Sequence, residues 1–249
     1  MASTTETGNA KNVANFEDMI SFCTGYGASY NPNKAAIKLP ALNTKRTAAV
    51  AALAAVNTNL PPWTNAVNAR QLVFEPISKL ITRVVNAVAA SDVPKQVIAD
   101  VKTIARKIQG TRASAKVPTV VDDPNTPVDE SQKSISASQM SFDNRIENMD
   151  KLIQLLSAQA AYAPNEADLK VTGLTTLLGN MKTTNTAAIN AYTPLSNARI
   201  SRNTILYDAT TGLVKLANDV KAYVKSVFGG TSPQYKQISK LKFTTPKLK

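Results

Sequence analysis

The chain repeats itself. When the sequence is slid by 132 positions, residues 30–90 fall on residues 162–222 without a gap, and fifteen of those sixty-one positions are identical. The identities fall at structural punctuation: Tyr30/Tyr162, Pro32/Pro164 and Asn33/Asn165 in a turn, then Pro62/Pro194, Asn65/Asn197, Ala66/Ala198 and Arg70/Arg202. Flanking stretches match with small shifts, Asn15–Ile20 with Asn148–Ile153 and 101–104 with 235–238. A repeat of this length means that one supersecondary unit is built twice, and any fold must house both copies.

The repeated unit reads as helical. Leu206, Ala209, Leu213, Leu216, Val220, Tyr223 and Val227 recur at steps of three and four, the seam of a helix packed lengthwise. Phe74, Ile77, Ile81, Val84 and Val88 repeat that seam in the first half. Proline suits a first helical turn and glycine a helix end. The expectation is therefore one long helix over Pro194–Phe228, stopped by Gly229-Gly230, and a shorter twin over Pro62–Ala90 entered through a corner at Asn57–Pro62. Much of the 43% hydrophobic content is alanine and aromatics are only 6%, a composition that favours closely approaching helices.

The predicted fold is all-α: two tandem pseudo-repeat up-and-down bundles of about four helices each, joined by an acidic, proline-containing linker. The expected divisions are a flexible lead (1–10), repeat 1 (11–109), the linker (110–137), repeat 2 (138–241) and a basic tail (242–249). The linker carries Pro118, Pro124 and Pro127 with Asp122, Asp123, Asp129 and Glu130.

The formal net charge is +12, from 29 basic and 17 acidic residues. Both halves share it: residues 1–115 have 13 basic and 6 acidic, residues 141–249 have 14 and 7. Such a field attracts polyanions. Candidate contacts are Lys102, Arg106 and Lys107 on the fourth helix and Lys236, Lys240 and Lys242 at the eighth. Arg70 and Arg202, one per repeat, form a further candidate anion pair. The preferred alternative holds each of them structurally, on a carboxylate such as Glu17 or Asp150 or on exposed carbonyls.

The chemistry that enzymes use is sparse. There is no histidine, which removes imidazole acid–base work, Ser-His-Asp activation and histidine metal sites. Neither GxxxxGK[ST] nor GxGxxG occurs, so the common phosphate loops are missing. Cys23, the single cysteine, lies among Ile20 and Phe22 and reads as a buried small hydrophobe. No catalytic residue, cofactor or metal is expected. With neither a secretory signal nor an apolar spanning run, cytoplasmic residence is expected, with signal-independent export as the alternative.

The stretches 15–27 (NFEDMISFCTGYG), 30–42 (YNPNKAAIKLPAL), 193–203 (TPLSNARISRN) and 231–243 (TSPQYKQISKLKF) resemble an uncharacterised bacterial family of helical proteins, of Bacteroidetes type. The resemblance spans nearly the whole chain apart from the linker. It implies a bacterial source and carries no activity or site residue.

The leading functional expectation is a non-enzymatic scaffold that assembles with copies of itself. Thr, Ser and Asn stand where helices usually carry Glu and Lys, which gives a weakly hydrated surface. The outer face Thr204, Thr211, Lys215, Lys221 and Lys225 is where a partner would sit. A basic protein associated with nucleic acid or the ribosome is the alternative. Third is a membrane-active helical protein, disfavoured because only the first half has an apolar run, Ala48–Val56, at the equivalent place.

Overall fold

The computed structural model describes residues 7–111 and 140–245. Nearly all of the expected linker, six residues of the expected lead and four of the tail lie outside the described residues. Among the described residues the chain is helical with no strand: α1 (Asn9–Gly25), α2 (Leu39–Phe74), α3 (Ile77–Ala89), α4 (Lys95–Gln109), α5 (Phe142–Ser157), α6 (Val171–Tyr207), α7 (Leu213–Phe228) and α8 (Pro233–Ser239).

Local chemistry sets most of the ends. Ser141 and Ser232 cap α5 and α8, their hydroxyls accepting from Asn144 N (3.2 Å) and Tyr235 N (3.1 Å). Pro233 follows at the first position of α8, where no N–H is needed. Gly110 ends α4 in the left-handed region at φ 70°.

Two expected boundaries move. The helix expected over Pro194–Phe228 is broken: residues up to Tyr207 close α6, and α7 starts at Leu213. Its twin breaks at Glu75-Pro76, so residues 62–74 belong to α2. The seam misleads because three- and four-residue steps (Phe74 to Ile77) persist across a tight corner. Asp208 makes the second break, its Oδ1 accepting from the backbone and hydroxyls of Thr210 and Thr211 at 2.7–3.0 Å. Gly212 is required there, since a Cβ would lie 2.4 Å from Asp208 O.

Conversely, the prolines read as corners lie inside helices, Pro61 and Pro62 in α2 and Pro194 in α6. A proline interior to a helix deprives the carbonyl four residues back of its donor. Asn57, Thr58 and Asn190 occupy those places and are exposed, so water can serve them.

The compact units also differ from the expected tandem repeats, 11–109 and 138–241. Unit 2 is residues 65–189; unit 1 is residues 1–64 with 190–249. The chain passes from one unit to the other within α2 and within α6, close to Pro62 and Pro194. Each unit therefore takes a part from each repeat. Core burial is the reason: the seam of α3 and α4 closes on α5 and the start of α6, from the other repeat. In unit 2, Ile77, Ile81, Val84 and Val88 share a core with Val101 and Ile108, with Met149, Leu152 and Leu156, and with Leu174 and Met181. In unit 1, Phe16, Met19, Ile20 and Cys23 of α1 share one with Leu42 and Ala49, with Leu206, with Leu213, Leu216 and Val220, and with Ile238. Each large side chain removed from water in this way contributes roughly 1.5–3 kcal/mol.

Taken in chain order, unit 2 runs through the end of α2, α3, α4, α5 and the start of α6. Unit 1, taken from residue 190, runs through their equivalents: the end of α6, α7, α8, α1 and the start of α2. The units are circular permutations of one another. At the corresponding joins, a Cβ on Gly110 would lie 2.5 Å from Met140 Sδ in unit 2, and Asn12 of α1 bonds Thr244 in unit 1. Both corners before the long helices are locked alike: Tyr30 OH donates to Ile37 O (2.6 Å) and Tyr162 OH to Leu169 O (2.7 Å). Among the described residues, no helix is long and apolar enough to cross a membrane.

Candidate functional site

The two candidate arginines have different surroundings. In unit 2, Arg70 Nη1 donates to Asn185 Oδ1 (3.0 Å), and Asn185 Nδ2 donates to Asp143 Oδ1 (2.8 Å). The Arg70 guanidinium lies 3.8 Å from the centre of the Phe142 ring, which meets Phe74 edge-on at 4.9 Å. Arg145 stands over Phe74 at 5.2 Å and donates to its carbonyl (3.3 Å). Burial lowers the pKa of Arg145. In unit 1, Arg202 Nε and Nη2 both donate to Asn203 Oδ1, at 3.1 and 2.8 Å.

The expected carboxylate partners are engaged elsewhere, Glu17 with Arg46 and Asp150 with Lys182 (2.9 Å). One amide and an aromatic face hold Arg70 instead. Delocalised guanidinium charge tolerates both, because it is weakly hydrated and stacks on rings. Arg70 lies in unit 2 and Arg202 in unit 1, and their partners differ.

The lysine candidates divide likewise. Lys102 and Lys107 are exposed on α4, where Arg106 is half-buried and donates to Thr103 Oγ1 (3.2 Å). Lys151, and at longer range Lys107, hold the Glu147 carboxyl below the usual carboxylate range. Lys236, Lys240 and Lys242 are exposed in unit 1. The expected outer lysines are occupied: Lys215 and Lys34 bracket Asp219 at 2.5 and 2.6 Å, and Lys225 lies 5.8 Å from the Tyr235 ring.

Sequence reasoning missed the most elaborate polar site, a stripe of asparagines along α1. Asn12 and Asn15 are 1% and 5% exposed, one turn apart, facing residues 241–244. Asn12 Nδ2 donates to Thr244 O (2.7 Å) while its Oδ1 accepts from Thr244 N (3.0 Å). Asn15 Nδ2 donates to Lys242 O (2.6 Å). Lys221 of α7 closes the other side, donating to Leu241 O (2.5 Å) with its ammonium 5.1 Å from the Phe243 ring; burial lowers its pKa. Tyr207 OH braces the stripe, donating to Asn9 Oδ1 (2.5 Å) and accepting from Asn12 Nδ2 (3.3 Å).

The geometry suits an extended segment. Alternate carbonyls of an extended chain lie about 6.6 Å apart and a helical turn rises 5.4 Å, so side chains three apart read residues two apart. Leu241 and Phe243 are half-buried against the unit 1 core. The signal in the sequence is Asn12 and Asn15 within the apolar face of Val13 and Phe16, where a buried amide demands partners.

Cys23 is free and fully buried, as expected, and burial pushes its thiol up to about 12, which disfavours the nucleophilic thiolate. Among the described residues no group of three His, Cys, Asp or Glu side chains gathers to hold a metal. Comparison with family models, curated proteins and solved structures finds no match to this chain.

Proposed function

We propose that the protein is a non-enzymatic helical scaffold that assembles with copies of itself. The observation that carries this reading concerns the exposed hydroxyls. Thr44, Thr47, Thr64, Thr82, Thr103, Thr175, Thr176 and Thr204 are exposed, yet each Oγ1 donates to the carbonyl four residues earlier in its own helix, at 2.8–3.2 Å. Their donors are used internally and their methyl groups remain at the surface. Helix surfaces bearing such residues lose little hydration when another helix covers them. The repetition of one architecture in both units supplies pseudo-equivalent faces, and repeated faces build closed or open assemblies.

The test is light scattering with sedimentation across protein and salt concentration. A concentration-dependent rise in mass is expected; a monomer throughout overturns the reading.

The second reading, a polyanion or nucleic-acid binder, is favoured by Lys102, Lys107, Lys236, Lys240 and Lys242, exposed and without an ion pair among the described residues. It expects affinity for single or double strands that falls steeply with salt. Absence of any shift at low salt removes it.

A further inference from the structure

The asparagine groove of unit 1 and the segment that fills it provide a route to assembly; this inference rests on the self-assembly reading above. We propose that the C-terminal arm, residues 231–245, exchanges between copies, so that α8 and the following extended segment of one chain dock on α1 and α7 of a second.

The arm is lightly held. Its helix α8 has one fully buried side chain, Ile238, whereas its equivalent α4 in unit 2 buries Val101, Ala105 and Ile108 over fifteen residues. Its other attachments are Tyr26 OH to Gln234 O (2.9 Å) and to Gln237 Oε1 (3.2 Å), half-buried Tyr235, Leu241 and Phe243 with Lys225 and Lys221 beside the Tyr235 and Phe243 rings, and the bonds of Asn12, Asn15 and Lys221. A hinge lies where exchange needs one: Gly229, at φ 86°, and Gly230 separate α7 from the arm. Glycine reorients there at little conformational cost.

The hydrogen bonds of Asn12 and Asn15 to the arm go to its main-chain atoms, and Tyr207 OH accepts from Asn12 within unit 1. The best-fitting occupant is already present, namely this arm, with apolar residues at 241 and 243. A second copy offers the same residues at the same spacing. Within one molecule the arm competes at an effective concentration of order millimolar, so exchange is expected at high concentration or on refolding.

Two full-length variants test it, Asn12→Ala/Asn15→Ala with an intact arm and Leu241→Ser/Phe243→Asp with an intact groove. Mixed, they are expected to sediment as a heterodimer that neither forms alone. A mixture equal to the sum of its parts overturns the exchange. Where a variant loses helicity, the wild-type chain with a protease site inserted between Gly230 and Thr231 replaces it. After cleavage, a labelled peptide of residues 231–249 is expected to bind in the arm's place, and at least about tenfold more weakly when its residues 241 and 243 are changed to Ser and Asp.

No saturable binding overturns the proposal. So does equal binding of an unrelated extended peptide with apolar residues at the same two positions, which would make the groove a general peptide site. If the wild type assembles without complementation between the variants, arm exchange fails and the scaffold reading stands. If the variants complement while the wild type stays monomeric, arm exchange stands and the scaffold reading fails.

Discussion

Units 1 and 2 have equivalent helices, equivalent corner tyrosines and cores of similar composition, yet they treat the α1-type helix differently. Asn9 and Asn12 of α1 become Phe142 and Arg145 on α5, while Asn15 has its like in Asn148. Around the asparagines, unit 1 builds a groove that reads an extended main chain. Around Phe142 and Arg145, unit 2 builds a ring-and-guanidinium stack with Phe74 and Arg70. The two helices keep apolar residues at Phe16/Met149 and Ile20/Ile153 and differ at Asn9/Phe142 and Asn12/Arg145.

The largest effect expected from breaking this comparison is in the cores. Phe16 and Met149 are equivalent and fully buried. Phe16→Ala should cost about 3–5 kcal/mol and Met149→Ala about 2–5. In urea denaturation, two independent units would show one displaced and one unmoved transition for each variant; a single transition moving in both would mean that the units unfold together.

Next comes the corner before each long helix. In unit 2 a Cβ on Gly173 would lie 2.2 Å from Ala167 O, whereas the equivalent position in unit 1 is Ala41, following a 3₁₀ turn at Ala35–Ile37. Gly173→Ala should destabilise by about 2–3 kcal/mol, and Ala41→Gly by at most about 1 kcal/mol. Equal effects in thermal melts would show that the two corners are interchangeable.

The corner tyrosines should behave as twins. Tyr30→Phe and Tyr162→Phe each strip a donor from a carbonyl and should cost about 1–2 kcal/mol apiece. Chemical denaturation that finds one silent would break the equivalence.

The smallest difference is electrostatic. Asp208, whose counterpart is Pro76, is held well below the usual carboxylate range by donors from Thr211 and Thr210. Folding lowers this pKa, so its contribution is present above the unfolded value and is lost as pH falls toward the folded one. Asp208→Asn should therefore reduce the acid sensitivity of unit 1; matched pH–stability slopes for variant and wild type would contradict that.

The sequence carried the helical class, the repeat, the apolar seam and the burial of Cys23, because each follows from local periodicity. It misplaced the corners, since spacing cannot distinguish Phe74–Ile77 across a break from the same pair in one helix. Proline pointed to helix starts but lies inside α2 and α6, where exposed carbonyls tolerate it. The pairing of half-repeats was hidden because cores made from equivalent parts look alike however they are combined. At the candidate sites, charge drew attention to Arg70, Arg202 and the lysines, whereas the groove depends on Asn12 and Asn15, uncharged and inconspicuous without their partners.

The nesting of unit 2 within unit 1 along the chain also orders events during synthesis. Unit 2 has all its parts once residue 189 has emerged, but the face of Phe16, Met19 and Cys23 waits for Leu213–Val224. At translation rates of about 5–20 residues per second, that wait lasts roughly 10–40 s. Throughout it α1 and the start of α2 must remain soluble with their apolar side uncovered. The α1 face is thus made well before the residues that bury it, and a holding chaperone would find its binding surface there.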